Sequence, residues 1–137
     1  MPTIFVAKSE SLQNWASDVG LTQHVYKLGV TEDGGAAAVD ALNAASHAGR
    51  TDWQLLAEQE ADALDEKTAL ARAARKETLV DPLYYPQIKR AAGIFKVKLV
   101  NAENFFLVRE ALEGQQIKRL KLTPAQIGSY LIRMATG

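Results

Sequence analysis

The sequence predicts one α+β domain: a small central mixed sheet of four to five strands with helices packed around it. Three observations point there. The chain has 137 residues, 47% hydrophobic and 23% charged, enough for one folded core. Its apolar residues follow two periods in turn, short β-branched or aromatic runs and longer stretches spaced three or four apart. Glycine, proline and acidic clusters separate these segments, with no internal repeat, no low-complexity tract and no dividing linker.

Residues 3–7 (Thr-Ile-Phe-Val-Ala) form a first strand. Ser9 then caps a helix carrying Leu12, Trp15 and Val19, with Gly20 beyond its end. Residues 24–31 are a second strand; alternation places Val25, Lys27 and Gly29 on one side and Tyr26, Leu28 and Val30 on the other. A turn at 32–35 leads into an alanine-rich helix over 36–47, and residues 52–58 give a third strand. The longest helix is expected over 62–79, with Leu64, Ala71 and Ala74 inward and Arg72, Arg75 and Lys76 outward. Residues 80–86, which contain Pro82 and Pro86, form a loop carrying Tyr84 and Tyr85. Residues 93–100 alternate as a half-exposed strand, 102–113 read as a helix, and 117–122 as a basic edge strand. Thr123-Pro124 starts a last helix through Met134.

Composition removes several classes of function. The chain contains no cysteine, so disulfides, thiol catalysis and thiolate zinc sites are excluded. No stretch approaches the ~18–20 apolar residues of a membrane span and no leader pattern opens the chain, which suits a cytoplasmic protein with no membrane partner. The formal net charge is zero, yet the charge is unevenly placed. Residues 1–66 hold eleven acids against three bases, a net −8; residues 67–137 hold thirteen bases against five acids, a net +8. Such asymmetry suits a polyanion partner if the fold keeps the halves apart, and a solvated mixed surface if it interleaves them.

Few constellations offer chemistry. His24 and His47 are the only histidines, and no Gly-x-Ser-x-Gly elbow is present. Gly34-Gly35 opens a helix as a phosphate cradle would, without the lysine of a Walker loop. The acid pairs Glu58/Glu60 and Asp65/Glu66 suit a Mg²⁺ ion or, equally, a helix first turn.

The segment Tyr26-Lys-Leu-Gly-Val-Thr31, on the second strand just before a turn and a helix, resembles the second signature of the GIY-YIG endonuclease superfamily. The first signature, Gly-Ile-Tyr on the opening strand, then falls on Thr3-Ile4-Phe5, where the isoleucine matches and Phe5 keeps the ring without the hydroxyl. The resemblance covers residues 3–97, leaving 98–137 as an extension. It implies a nucleic-acid-binding domain and, if active, a divalent-metal-dependent phosphodiester endonuclease using Mg²⁺. Tyr26 would then help to activate water and Glu66 would hold the metal.

Two departures matter. The family's arginine on the helix after the second strand is missing, since that helix begins Gly35-Ala-Ala-Ala38 and contains no arginine. Phosphodiester hydrolysis needs a cation near the developing charge, and losing one costs orders of magnitude in rate. Lys27, Arg50 or Arg72 would have to supply it, so the resemblance implies binding more readily than cutting. About twenty residues, including a helix, also separate the two signature strands, where the family has a tighter hairpin. The resemblance therefore requires that these strands pair antiparallel.

The segment 72–98 interleaves Arg72, Arg75, Lys76, Lys89, Arg90, Lys96 and Lys98 with Tyr84, Tyr85 and Phe95. Bases for phosphates beside tyrosines for unpaired bases suit a nucleic-acid surface; the tyrosines would equally pin their loop to the core. The alternative function is a non-enzymatic protein-interaction or structural subunit, a homo-oligomer or the partner of another protein, associating through its acidic and basic halves.

Overall fold

Strand β1 (Thr3–Ser9) is buried along its length except at Lys8, because it lies between two neighbours and under helices on both faces. The computed structural model describes residues 2–82, 84–88, 91–112 and 122–136, with backbone alone at 87 and 110–112. Lys89, Arg90 and residues 117–121 of the expected basic edge strand lie outside the described residues.

After β1 come α1 (Glu10–Asp18), β2 (Val25–Thr31), α2 (Gly35–Ala44), β3 (Trp53–Glu60), α3 (Glu66–Ala73), β4 (Thr78–Leu79), β5 (Ile94–Lys96), α4 (Leu99–Leu112) and α5 (Pro124–Thr136). The sheet order is β3-β1-β2-β5-β4. The α+β class is as the sequence predicts, and the sheet is antiparallel throughout rather than mixed. β1 and β2 pair antiparallel in spite of the helix between them, with Phe5 opposite Gly29 and Ala7 opposite Lys27. In β3 the register jumps between Val6 and Ala7 of its partner, so Leu56 is the extra residue of a bulge.

The strand periodicity builds a three-layer molecule. Ile4, Val6, Tyr26, Leu28 and Phe95 face one layer, where Ala69 and Ala73 of α3, Ala102 of α4 and Ile127, Leu131 and Ile132 of α5 cover them. Phe5, Ala7, Val25 and Ile94 face the other, under Leu12 and Ala16 of α1 and Val39 of α2. The alternation expected of β2 is thus realised, with both sides buried.

Capping fixes the helix starts. The Ser9 hydroxyl accepts from Leu12 N at 3.2 Å, as its position before the apolar spacing predicts. Asp65 accepts from Thr68 N at 2.7 Å, and that demand on the carboxylate holds its pKa below the usual range. At α5, Thr123 Oγ1 accepts from Gln126 N at 3.2 Å while Gln126 Oε1 accepts from Thr123 N at 2.9 Å, a reciprocal box around Pro124.

Three expected elements differ. The helix over 62–79 shrinks to α3, because Asp65 starts it late and Thr78-Leu79 leave to join β5 as an edge strand. Its inward face is Ala69 and Ala73; Ala71 and Ala74 are exposed. The strand over 93–100 is only β5, and Ile94 and Phe95 are both buried since the strand lies inside the sheet. The chain then turns into α4 at Leu99, where the buried Glu77 carboxylate accepts from Lys98 N at 2.7 Å. The helix over 36–47 ends at Ala44, with Ser46 left-handed at φ 51° before a single 3-10 turn at His47–Gly49. Segment 98–137 shares the main core, for α5 lies across β1, β2 and β3 with six buried residues.

Candidate functional site

Of the positions carrying the GIY-YIG resemblance, Phe5, Lys27, Gly29 and Glu66 come together toward the α1/α2 face of the sheet, while Ile4, Tyr26 and Leu28 face the other layer. Cross-strand pairing sets Glu58, Phe5 and Gly29 in a row across β3, β1 and β2. Gly29 permits this packing: a Cβ there would stand 2.9 Å from the Phe5 ring and 3.2 Å from Glu66 Oε1. Beyond Lys27 the ladder to β5 ends, with Leu28 N donating to Gly93 O at 2.8 Å. Glu66, at the start of α3, accepts from Val30 N at 3.3 Å and so completes this edge of β2.

Lys27 is 5% exposed, and its ammonium donates to Ala92 O at 2.8 Å. Burial pushes its pKa down, while the negative charge of Glu66 acts in the opposite direction. His47 stands edge-on to Trp53 at 5.7 Å, and its buried Nε2 has no hydrogen-bond partner. Burial, and then the positive charge of Lys27, lower His47 to about 4. Lys27, Glu66 and His47 thus form one electrostatic group, and sequence reasoning missed His47. Its approach comes from the loop between α2 and β3, for which the sequence carries no signal.

Tyr26 is not part of this group. Adjacent strand residues point to opposite faces, so Tyr26 and Lys27 cannot share a site on one face. Tyr26 is 2% exposed, its hydroxyl 3.3 Å from His24 Nδ1, and burial raises its pKa to about 12. That environment is a poor one for activating water. The two histidines lie in different places, His24 beside Tyr26 and His47 beside Trp53.

The expected Mg²⁺ site does not fit the residues present. One oxygen of Glu66 is held by Val30 N–H, Asp65 caps its helix, and Lys27 adds positive charge nearby. Among the described residues no group of three or more His, Asp or Glu side chains is placed to hold a metal ion. Gly34-Gly35 serve as a turn rather than a phosphate cradle, since the Glu58 carboxylate lies against Gly35 at the start of α2.

The basic and aromatic residues of 72–98 separate. Tyr85 packs edge-on against Trp15 at 6.0 Å and so pins its loop to the α1 face, with Tyr84 exposed beside it at 4.8 Å. Phe95 is buried in the core. Lys96 is half-buried at β5 and Lys98 is exposed at the entry to α4. Arg72, Arg75 and Lys76, by contrast, lie exposed at α3 and the turn after it, on the other side of the sheet.

There they border a groove between α3, α4 and α5 that sequence reasoning did not anticipate. A cavity of about 940 Å³ is lined by Lys76, Arg109 and Arg133 together with Phe105, Val108 and Asn104. A smaller one, about 250 Å³, adjoins it and is lined by Arg72, Arg75, Lys76, Arg133 and Met134. Among the described residues no acid lines either cavity. Arg133 reads in sequence as a last-turn cation of α5; only helix packing brings it to α3.

Comparison with known protein families, curated proteins and solved structures found no match. No helix among the described residues is long and apolar enough to cross a membrane.

Proposed function

We propose that this chain is a nucleic-acid-binding domain, GIY-YIG-like in its strand pairing, that does not cut its ligand. The observation carrying the proposal is the cationic groove between α3, α4 and α5, which no acid lines among the described residues. Phosphate binding depends on local potential, which a zero net charge does not limit. The family reading is supported by the antiparallel pairing of the Phe5 and Gly29 strands with Glu66 beside them. Loss of cleavage is supported by the missing arginine and by the burial of Phe5, Tyr26 and Lys27.

The test is titration of a labelled oligonucleotide at several salt concentrations. Four phosphate contacts, to Arg72, Arg75, Lys76 and Arg133, give a log–log slope of about −3. Arg133→Ala reduces it by about one unit. Plasmid incubated with Mg²⁺ or Mn²⁺ stays intact, for the wild type and for Glu66→Ala alike. A salt-independent affinity, or none, overturns the binding function; cleavage abolished by Glu66→Ala overturns its non-cleaving character.

A second reading, association with another copy or another protein, is favoured by Val100 and Leu107, large apolar side chains exposed on α4. Apolar association of that kind persists at high salt, which separates it from phosphate binding.

A further inference from the structure

Resting on that reading, we propose that the groove takes single-stranded nucleic acid, with a phosphate in the smaller cavity and an unpaired base in the larger one. The two compartments differ in chemistry and share a wall. The smaller is bounded by four cationic side chains and Met134, a setting for an anion and little else. The larger meets it at Lys76, Arg133 and Met134 and continues along Phe105, Val108, Arg109 and the Asn104 amide. The smaller compartment offers positive charge alone, and the larger adds to its cations an aromatic wall and neutral hydrogen-bonding groups, a pairing that matches the phosphate and base of one nucleotide unit.

The aromatic wall is held in place. Phe105 stands edge-on to Phe106 at 5.1 Å and to Tyr130 at 5.6 Å, and the Tyr130 hydroxyl donates to Glu77 at 2.6 Å. A base settling beside Phe105 therefore meets a surface ordered in advance. A duplex can offer its phosphates to the cations, but its base faces are stacked on one another and cannot enter the larger cavity. A single strand can do both.

Anisotropy titrations of the full chain test this with four probes: a single strand, its duplex, an abasic strand of equal length and the free mononucleotide. The expected result is single-strand binding at least about tenfold tighter than duplex, with most of that gain lost in the abasic strand. Val108→Glu, at a residue 61% exposed and so harmless to folding, weakens the single strand further than the abasic one. Equal or tighter binding of duplex, still reduced by Arg133→Ala, overturns this inference and leaves the nucleic-acid function standing. A mononucleotide bound as tightly as the strand overturns it in favour of a small ligand. Absence of binding to all four overturns both.

Discussion

Lys27 shows how one side chain can look catalytic in sequence and act structurally in the fold. A lysine on the strand of the second signature, next to Tyr26, is one of the cations that could stand in for the missing arginine. In the structure its ammonium is spent on Ala92 O, and Gly93 leaves it room: a Cβ on that residue would stand 2.9 Å from Nζ and 2.5 Å from Leu28 O. Burial, and secondarily the charge of Lys27, lower the pKa of His47. The imidazole has a folded pKa near 4 against 6.5 when unfolded. Between those values the unfolded chain binds a proton that the folded chain refuses. Stability is therefore complete above pH 6.5 and falls as the pH drops towards 4. Thermal unfolding across that window shows the decline in wild type, and His47→Gln flattens this component; equal slopes for the two proteins would contradict it. The positions of Phe5, Gly29 and Glu66 were legible from the Tyr26–Thr31 motif. His47 was not, since its contact depends on a loop path.

At the scale of elements, the sequence places strands and caps well and overextends three segments. The two on either side of β4 and β5 meet at Glu77. In sequence it is one more charged residue near the end of an amphipathic helix. In the fold it is 4% exposed, accepting from Lys98 N, from Asn101 Nδ2 at 2.9 Å and from the Tyr130 hydroxyl. These bonds join the end of α3 to the start of α4 and the middle of α5, so continuing the helix would remove the carboxylate from three donors. Burial and the Glu77 partner together raise the Tyr130 pKa. Glu77→Ala leaves those donors unpaired and costs about 3 kcal/mol, read from urea unfolding. Tyr130→Phe costs about 1 kcal/mol, and the double variant costs less than the sum because the pair is coupled. Strict additivity would show that Glu77 is not the junction of these helices.

Across the whole molecule, α5 ties the last part of the chain to the first. Leu131 is fully buried against the strands that begin the sequence. Truncating it to alanine costs about 2–5 kcal/mol. Trp15 and Trp53 belong to the opposite face, so they report on the layer α5 does not touch. If the molecule is one cooperative unit, Leu131→Ala shifts tryptophan fluorescence and far-UV circular dichroism transitions equally. Separate transitions would show that the layers unfold independently. Charge is also decided at this scale. The −8 and +8 halves do mix in part, since Asp62 and Arg72 line one small cavity, yet among the described residues the charged side chains lining the larger groove are Lys76, Arg109 and Arg133.

The sequence by itself determined the α+β class, the two faces of β2, the caps at Ser9 and Thr123 and the absence of cysteine chemistry. These depend on local periodicity, on backbone donors within a few residues, or on composition. Tertiary structure decided the rest: that β1 and β2 pair antiparallel around a helix, that Glu66 and His47 approach Lys27, and that Arg133 meets Arg72, Arg75 and Lys76. Each of those relations joins residues distant in the chain, and only packing of the layers sets which side chains meet.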